Sequence, residues 1–520
     1  MTLRLIPAAI AAALLLGATL SALPARAQPQ PPSEDGPEPL AAEPAPEPAQ
    51  PPRPTPREAA PAPDLTARLS EVLARPGGLI SDTVAARAVA TSHEIQAKQY
   101  AVEAAAAGVD QALASYFPEL TFTARYTRLS DVGEPALFDG NASLVVDPTG
   151  TNGLLDGTEP LAGRPLSSMS FPQILNQYYL QAGLVVPVSD YFLRIHHGRA
   201  AAERATESAR LNARATRLAT ATNARLAYYS WVRARLQQVV AEQSLAQAEE
   251  QHRATQVAFD VGRASRADVM AAEAQVANGE LLVAQARRMA ASTQDVVRTL
   301  MHRPGAKGFE IGEDVLSVSD RQLPQESVDA LYAEAERQRL EPQALERSAA
   351  ALERRRRAAA AAAYPRLGAF ANAYYANPHP RIIPQQEEWR SSWDVGLQLT
   401  WTPNGILRSR PDQAQLAAQR AELTAERRAL LDRVRAEVMD CYQARLEASV
   451  SVRSADRALA AAEEAYRVRR LLFDNGHATS LEVTEQEIRL LQARLQMINA
   501  RVNLLTARVR LEHAVGRDVR

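Results

Sequence analysis

The chain has 520 residues, 46% of them apolar and only 5% aromatic, and its 59 basic and 60 acidic side chains leave a net charge of −1. That near balance lacks the basic surplus of a nucleic-acid binder. A single cysteine, Cys441, excludes an intramolecular disulfide and any Cys-based metal site. Much of the apolar content is alanine, which favours helix and lets helices approach closely.

The first residues read as a secretory signal spanning 1–27, with an uncleaved anchor as the competing reading. Arg4 supplies the positive region, Ala8 to Leu23 an apolar run, and Ala25-Arg26-Ala27 a small-x-small cleavage site. No later stretch approaches the eighteen consecutive apolar residues that a transmembrane helix needs. Residues 28–63, rich in Pro, Ala and Glu, are expected to be a disordered linker.

From Asp64 onward the pattern turns helical. Two long runs, about 192–257 and 411–472, carry no Pro or Gly beyond their first turns. Each is predicted to reach roughly 90–100 Å at 1.5 Å per residue, which points to coiled coil. The spacing agrees. Leu491, Leu495, Ile498, Val502, Leu505 and Val509 alternate steps of four and three, as do Leu431, Val434, Val438 and Cys441. On that stripe Cys441 reads as a small buried apolar residue, not a reactive thiol. The neighbours His196 and His197 point about 100° apart on a helix and chelate poorly.

An internal repeat is the strongest feature. Phe259-Asp260-Val261-Gly262-Arg263-Ala264-Ser265-Arg266-Ala267-Asp268-Val269 recurs as Phe473-Asp474-Asn475-Gly476-His477-Ala478-Thr479-Ser480-Leu481-Glu482-Val483. Each copy is predicted to join two helices, with glycine as left-handed cap and Ser265 or Thr479 capping the next helix. Tyr116-Phe117-Pro118-Glu119-Leu120 is likewise echoed by Ala363-Tyr364-Pro365-Arg366-Leu367, where a helix stops at proline and a strand begins. The chain thus divides into a first repeat, 64–301, an irregular connector, 302–325, and a second repeat, 326–520. The tip turns fall at 259–269 and 473–483.

Four short strands are expected, at about 119–128, 178–187, 366–375 and 392–402. In the last, Trp393, Val395, Leu397, Leu399 and Trp401 face one way and Asp394, Gly396, Gln398 and Thr400 the other. Leu120, Phe122, Ala124 and Tyr126 alternate similarly, as do Tyr178, Leu180, Ala182, Leu184 and Val186. The third is less clean, because Phe370 and Tyr374 share a face with Asn372. Nine residues is the span of a tilted bilayer-crossing strand, and aromatic ends match the interfacial girdles of outer-membrane barrels. A small soluble sheet packed on helices explains the alternation equally well, though not the aromatic ends. In a bilayer the strands must close, and four cannot, so a conduit needs copies; three chains would supply twelve strands. Counted back from Pro187 and Pro403, the apolar face falls on opposite parities, which a bulge near Thr402 would reconcile.

Taken together, the duplicated Phe-Asp-x-Gly-x-Ala-(Ser/Thr)-x-x-(Asp/Glu)-Val turn, the paired strand starts and the prolines Pro187 and Pro403 resemble the TolC-type outer membrane efflux protein family. The resemblance covers nearly all of the chain past the Pro-rich segment. It implies a mainly α homotrimer in which a membrane β-barrel joins an α-helical barrel crossing the periplasm. Its partners would be outer-membrane lipid, a periplasmic adaptor protein and an inner-membrane pump, with no cofactor and no metal. Gly262, Ser265, Gly476 and Thr479 would form the adaptor-docking tip. Glu482 and Glu485 would line a periplasmic gate favouring cations, although Glu stands where the best-known members carry Asp, and Ala271 occupies the corresponding place in the first repeat. Phe122, Tyr126, Leu184, Trp393, Leu397, Leu399 and Trp401 would face lipid. Arg354–Arg357 would meet lipid head groups or simply lie on a solvated face. The loop 129–177 would be extracellular. Two other readings keep the signal peptide and helices: a periplasmic coiled-coil scaffold with a soluble sheet, and an exported enzyme, for which no Gly-x-Ser-x-Gly or His-Glu-x-x-His motif is present.

Overall fold

The computed structural model describes residues 65–131, 143–146, 162–165, 173–305, 308–317 and 326–517. The expected signal peptide and linker lie outside these residues, as do most of the 129–177 loop and residues 318–325 of the connector.

In chain order, α1 (Leu65–Val72), α2 (Ser81–Thr91) and α3 (His93–Ala114) lead to β1 (Glu119–Arg128). A separate two-stranded ribbon, β2 (Ser143–Val146) and β3 (Ala162–Pro165), precedes β4 (Asn176–Val186). A short α4 (Val188–Asp190) and a π-turn open into α5 (His196–Asp260), and α6 (Arg266–Leu300) returns antiparallel to it. The second half repeats this plan with α7 (Val328–Gln338), α8 (Leu340–Ala360), β5 (Arg366–Asn377), β6 (Arg390–Thr400), α9 (Gly405–Asp474) and α10 (Ser480–Val515). With 65 and 70 residues, α5 and α9 are each roughly 100 Å long. Pro411 sits in the second turn of α9 and does not interrupt it.

Packing partners define a layer four helices wide. Near the sheet, α5 lies between α3 and α8, and α9 flanks α8. Toward the tips, α5 lies between α6 and α10, and α9 flanks α10. So α5 and α9 run the full length, while α3 with α6 and α8 with α10 fill the columns beside them. The main core sits halfway along. Tyr228, Trp231, Val232 and Leu236 of α5 are buried there with Val84, Val297 and Met301, and with Ile498 and Val502 of α10. The connector seals this level: Ile311 and Val315 are fully buried, and Ile311 bridges Leu79. At that crossing Gly78 and Gly312 touch, since a Cβ on Gly78 would lie 2.6 Å from Gly312 N, so only glycine fits. A smaller core joins Leu331, Val434, Val438 and Leu511, with half-buried Cys441 at its margin.

The main sheet is antiparallel in the order β1-β4-β5-β6. Its ladders run without interruption from Glu119↔Val185 to Arg128↔Asn176, Tyr178↔Asn377 to Val186↔Ala369, and Arg366↔Thr400 to Ala376↔Arg390. No bulge is therefore present near Thr402. Where β4 reaches Pro187 directly, β6 ends at Thr400 and two residues outside the ladder precede Pro403, which absorbs the change of parity.

Candidate functional site: an outward apolar sheet and a pair of helical tips

Residues paired directly across an antiparallel ladder share a face. Phe122 pairs with Ala182, Ala182 with Ala373 and Ala373 with Trp393. Leu120, Leu184, Ala371 and Val395 form the next row toward the helices. One continuous apolar face thus spans all four strands and includes Phe122, Tyr126, Leu184, Trp393, Leu397 and Leu399. No described segment covers it: Trp393 and Leu397 are each 73% exposed and Leu399 is 68% exposed. A soluble sheet packed on helices would have buried these side chains.

Aromatic residues rim this face at both ends. At the loop end Tyr126 and Tyr178 lie 5.2 Å apart, and Trp389 lies 5.7 Å from Tyr178 and 4.8 Å from Tyr375. At the helix end Phe117, Tyr364 and Trp401 are exposed. Trp401 donates its indole N–H to Ala363 O at 3.4 Å. Trp393 therefore lies inside the band and Trp389 at its rim. Trp389 precedes the alternating run, which hid it from the sequence pattern. At about 3.3 Å per residue the 11 residues of β4 cover about 33 Å along the strand, which at a barrel tilt of about 40° is about 25 Å of height, that of an outer-membrane apolar band.

The opposite face is polar. Gln181 donates to Asn372 Oδ1 at 3.1 Å and Asn372 donates to Asp394 Oδ1 at 2.8 Å. Phe370 sits on this side because Gly396 makes room for it: a Cβ on Gly396 would lie 2.8 Å from the Phe370 ring. That explains the irregular third strand.

The two tips are built alike. Gly262 has φ +75° and Gly476 φ +77°. Arg263 N–H donates to Ala258 O at 2.7 Å and His477 N–H to Leu472 O at 2.8 Å, the 6→1 bond of a Schellman cap. Both following helices open with complete capping boxes. Asp268 N–H donates to Ser265 Oγ at 3.2 Å, and Ser265 N–H returns a bond to Asp268 Oδ2 at 2.8 Å. Glu482 N–H donates to Thr479 Oγ1 at 3.3 Å, and Thr479 N–H to Glu482 Oε2 at 2.9 Å. These bonds hold both carboxyls below their usual range. The turns also touch one another, because the Arg263 guanidinium occupies the space beside Gly476 Cα. Exposed Val257, Val261, Met270, Leu471 and Leu481 surround them, apolar surface the sequence reading did not single out.

Glu482 and Glu485 lie one turn apart at the start of α10. Glu482 is engaged by its cap and by Arg469 at 3.2 Å, whereas Glu485 is exposed. A third carboxylate, Glu487, is 2% exposed, and neither of its oxygens accepts a hydrogen bond among the described residues. Burial pushes it up to about 7, against the pull of Arg470 and Arg494. The stripe in α10, continued toward the tip from Leu491 by two steps of four, reaches Glu487 and Val483 and places Glu487 at a core position. That spacing was the available signal.

Farther up, Arg356, Arg357 and Arg420 converge on Glu353 and hold its carboxyl at about 2. No group of three or more metal-ligating side chains occurs among the described residues. No described helix is long and apolar enough to cross a membrane.

An apolar belt on a small sheet, polar on its other side and continued by helices roughly 100 Å long, defines an outer-membrane channel subunit. Residues 84–301 and 316–517 match the model of the outer membrane efflux protein family, and the chain belongs to that family. No curated protein matches the chain by sequence. Among solved structures it is similar to the open state of the MtrE outer membrane channel of Neisseria gonorrhoeae, with 15% identity, TM-score 0.67, and coverage of 84% of this chain and 89% of that one. The CmeC outer membrane channel of Campylobacter jejuni gives 14%, 0.65, 84% and 85%. The outer-membrane channel OprN gives 19%, 0.66, 90% and 98%. These likenesses carry the fold, the subunit of a β-barrel set on an α-barrel, and the family carries the function, an efflux channel of the outer membrane.

Proposed function

We propose that three copies of this chain form a passive conduit from periplasm to exterior, driven by an inner-membrane pump through a periplasmic adaptor protein. The observation that carries this reading is the sheet itself. Among the described residues its edge strands β1 and β6 have no partner along their outer sides. In hydrocarbon such edges must be satisfied, and pairing β1 of one copy with β6 of the next closes a ring. Four strands per chain then give twelve, and four helical columns per chain give a matching helical wall. Phe122, Tyr126, Leu184, Trp393, Leu397, Leu399 and Trp401 face lipid in this arrangement.

The tips are the periplasmic end. Gly262, Ser265, Gly476 and Thr479 shape paired turns ringed by exposed apolar side chains, a surface suited to an adaptor's helical hairpin. Glu482 and Glu485 repeat three times around the axis and favour cations at the constriction. Arg469 already balances Glu482, so Glu485 carries more of this preference. Purified protein in a planar bilayer is expected to conduct as a trimer. Its reversal potential in a salt gradient is expected to shift toward neutrality in Glu485→Gln, less in Glu482→Gln, and most in the double variant. A double variant with unaltered selectivity would remove the ring and leave the conduit standing; a monomer that never conducts would remove both.

A further inference from the structure

We propose that the β5–β6 loop and the polar wall beneath it form a second, outer constriction of the channel, whose aperture is set by an Arg381–Asp394 latch and whose charge is set by Arg125. This rests on the trimeric conduit described above, which makes the polar face of the sheet the lumen. It concerns the end of the channel opposite the tips.

The loop joining β5 to β6, residues 378–389, lies at the end of the sheet away from the helices. A segment of that length is free to stand out into solvent, and this one folds back over the polar face. His379 is only 3% exposed, and its Nε2 lies 2.9 Å from Ser392 Oγ. Arg381 N–H donates to His379 Nδ1 at 3.2 Å, which leaves the Nε2 proton to donate to Ser392. Ser392 pairs with Tyr374, so it belongs to the polar face. Arg381 ties the loop down at three further points. It donates to Trp393 O at 3.2 Å, pairs with the Asp394 carboxylate, and lies over the Tyr374 ring with its guanidinium carbon 5.0 Å from the centroid.

From Asp394 the network continues across the whole sheet. Asn372 donates to Asp394, Gln181 donates to Asn372, Tyr179 OH donates to Gln181 Oε1 at 2.8 Å, and Arg125 lies over the Tyr179 ring at 5.1 Å. Loop, β6, β5, β4 and β1 are therefore linked through side chains along a diagonal of the polar face, from the Asp394–Asn372–Gly183 rung to the Ala376–Tyr179–Arg125 rung. A twelve-stranded barrel closed by backbone alone leaves an aqueous interior wider than an eight-stranded one, which side chains fill. Three loops folded inward subtract from that width, and a continuous network resists their lifting. The charges are unequal. Arg381 is balanced by Asp394, whereas no ion pair is formed by Arg125 among the described residues. Three such arginines around the axis make this mouth anion-favouring, the opposite sign to the Glu485 ring.

Asymmetric polymer exclusion separates the two ends. Reconstituted trimers in potassium chloride receive poly(ethylene glycol) of graded size on the barrel side only, and the largest polymer that still alters the current measures that mouth. In Arg381→Ala/Asp394→Ala the cut-off is expected to move to larger polymers, and in the charge-reversed pair Arg381→Asp/Asp394→Arg to return toward wild type. Arg125→Gln is expected to shift the reversal potential toward cations without moving the cut-off. If the alanine pair fails to assemble, the near-isosteric Arg381→Gln/Asp394→Asn is read the same way. A cut-off that stays at the wild-type size in the latch variants overturns the constriction. An Arg125→Gln channel with wild-type selectivity overturns the charge assignment. Wild-type protein that conducts nothing refutes the conduit itself, a separate result.

Discussion

Glu487 is the residue whose chemistry departs furthest from its surroundings. It faces Arg470, Tyr466 and Glu250 from the neighbouring helices and Arg494 from its own, with neither oxygen hydrogen-bonded among the described residues. Its carboxyl sits at about 7 in the folded chain against 4.5 for the ordinary group. The folded state thus holds the proton more tightly than the unfolded one, so stability falls as pH rises from 4.5 to about 7 and stays reduced above it. At 1.36 kcal/mol per unit, the full effect is about 3 kcal/mol per chain. Glu487→Gln removes the ionisable group while Arg470 keeps Gln251 at 2.7 Å and Arg494 keeps Gln247 at 3.1 Å. Thermal melting of the detergent-solubilised protein is expected to show the variant more stable than wild type at pH 8 and equal to it near pH 4.5. A constant difference across that range would refute the assignment. Individual residues were the hardest level to read from sequence. Glu482 and Glu485 are placed by motif alone, and nothing in the motif announces that Arg469 neutralises one of them. Glu487 was legible only by extending the stripe past its apolar members.

At the scale of the element, the repeat made the tips readable in advance: glycine, Ser or Thr, and an acid three residues later specify a Schellman cap followed by a capping box. What the repeat concealed is that the two turns are not equivalent. Gly262 has open space where a side chain would go, whereas Gly476 lies under the Arg263 guanidinium. Gly262→Ala therefore meets only the left-handed penalty, about 1–2 kcal/mol. Gly476→Ala adds the displacement of Arg263 and is expected to cost more. Combining it with Arg263→Ala should bring the cost back to that of Gly262→Ala, a coupling that a double-mutant cycle of melting free energies measures. Thr479→Ala is expected to cost about 1 kcal/mol through loss of its cap. The strands were legible for a different reason. A period of two survives wherever one face meets hydrocarbon, so β1, β4 and β6 announced themselves. β5 did so weakly, because its outward positions are mostly alanine and two of its three rings, Phe370 and Tyr374, turn inward. The strand ends were less visible, since Trp389 belongs to the belt but not to the alternation.

At the scale of the molecule, two solvents set the design. Alanine-rich helices near charge balance suit an aqueous compartment, and among the described residues the sheet is what offers a face to lipid. The same short strand must therefore satisfy hydrocarbon on one side and water on the other, residue by residue. β6 offers a direct test, because Val395 lies midway between the Trp389 and Trp401 levels on the outward face and Gln398 lies on the inward one. An arginine near the bilayer midplane costs about 2–4 kcal/mol, while a lumenal arginine stays hydrated. Across three copies the penalty multiplies, so Val395→Arg is expected to weaken the trimer sharply and Gln398→Arg to leave it nearly intact. Urea titration of the protein folded into lipid vesicles, followed by the mobility of unheated trimers in detergent gels, reads both. Equal losses from the two substitutions would mean that both faces of β6 see the same surroundings. In that case the strand lies in no membrane, and neither the closed barrel nor the outer constriction built on its inner wall survives.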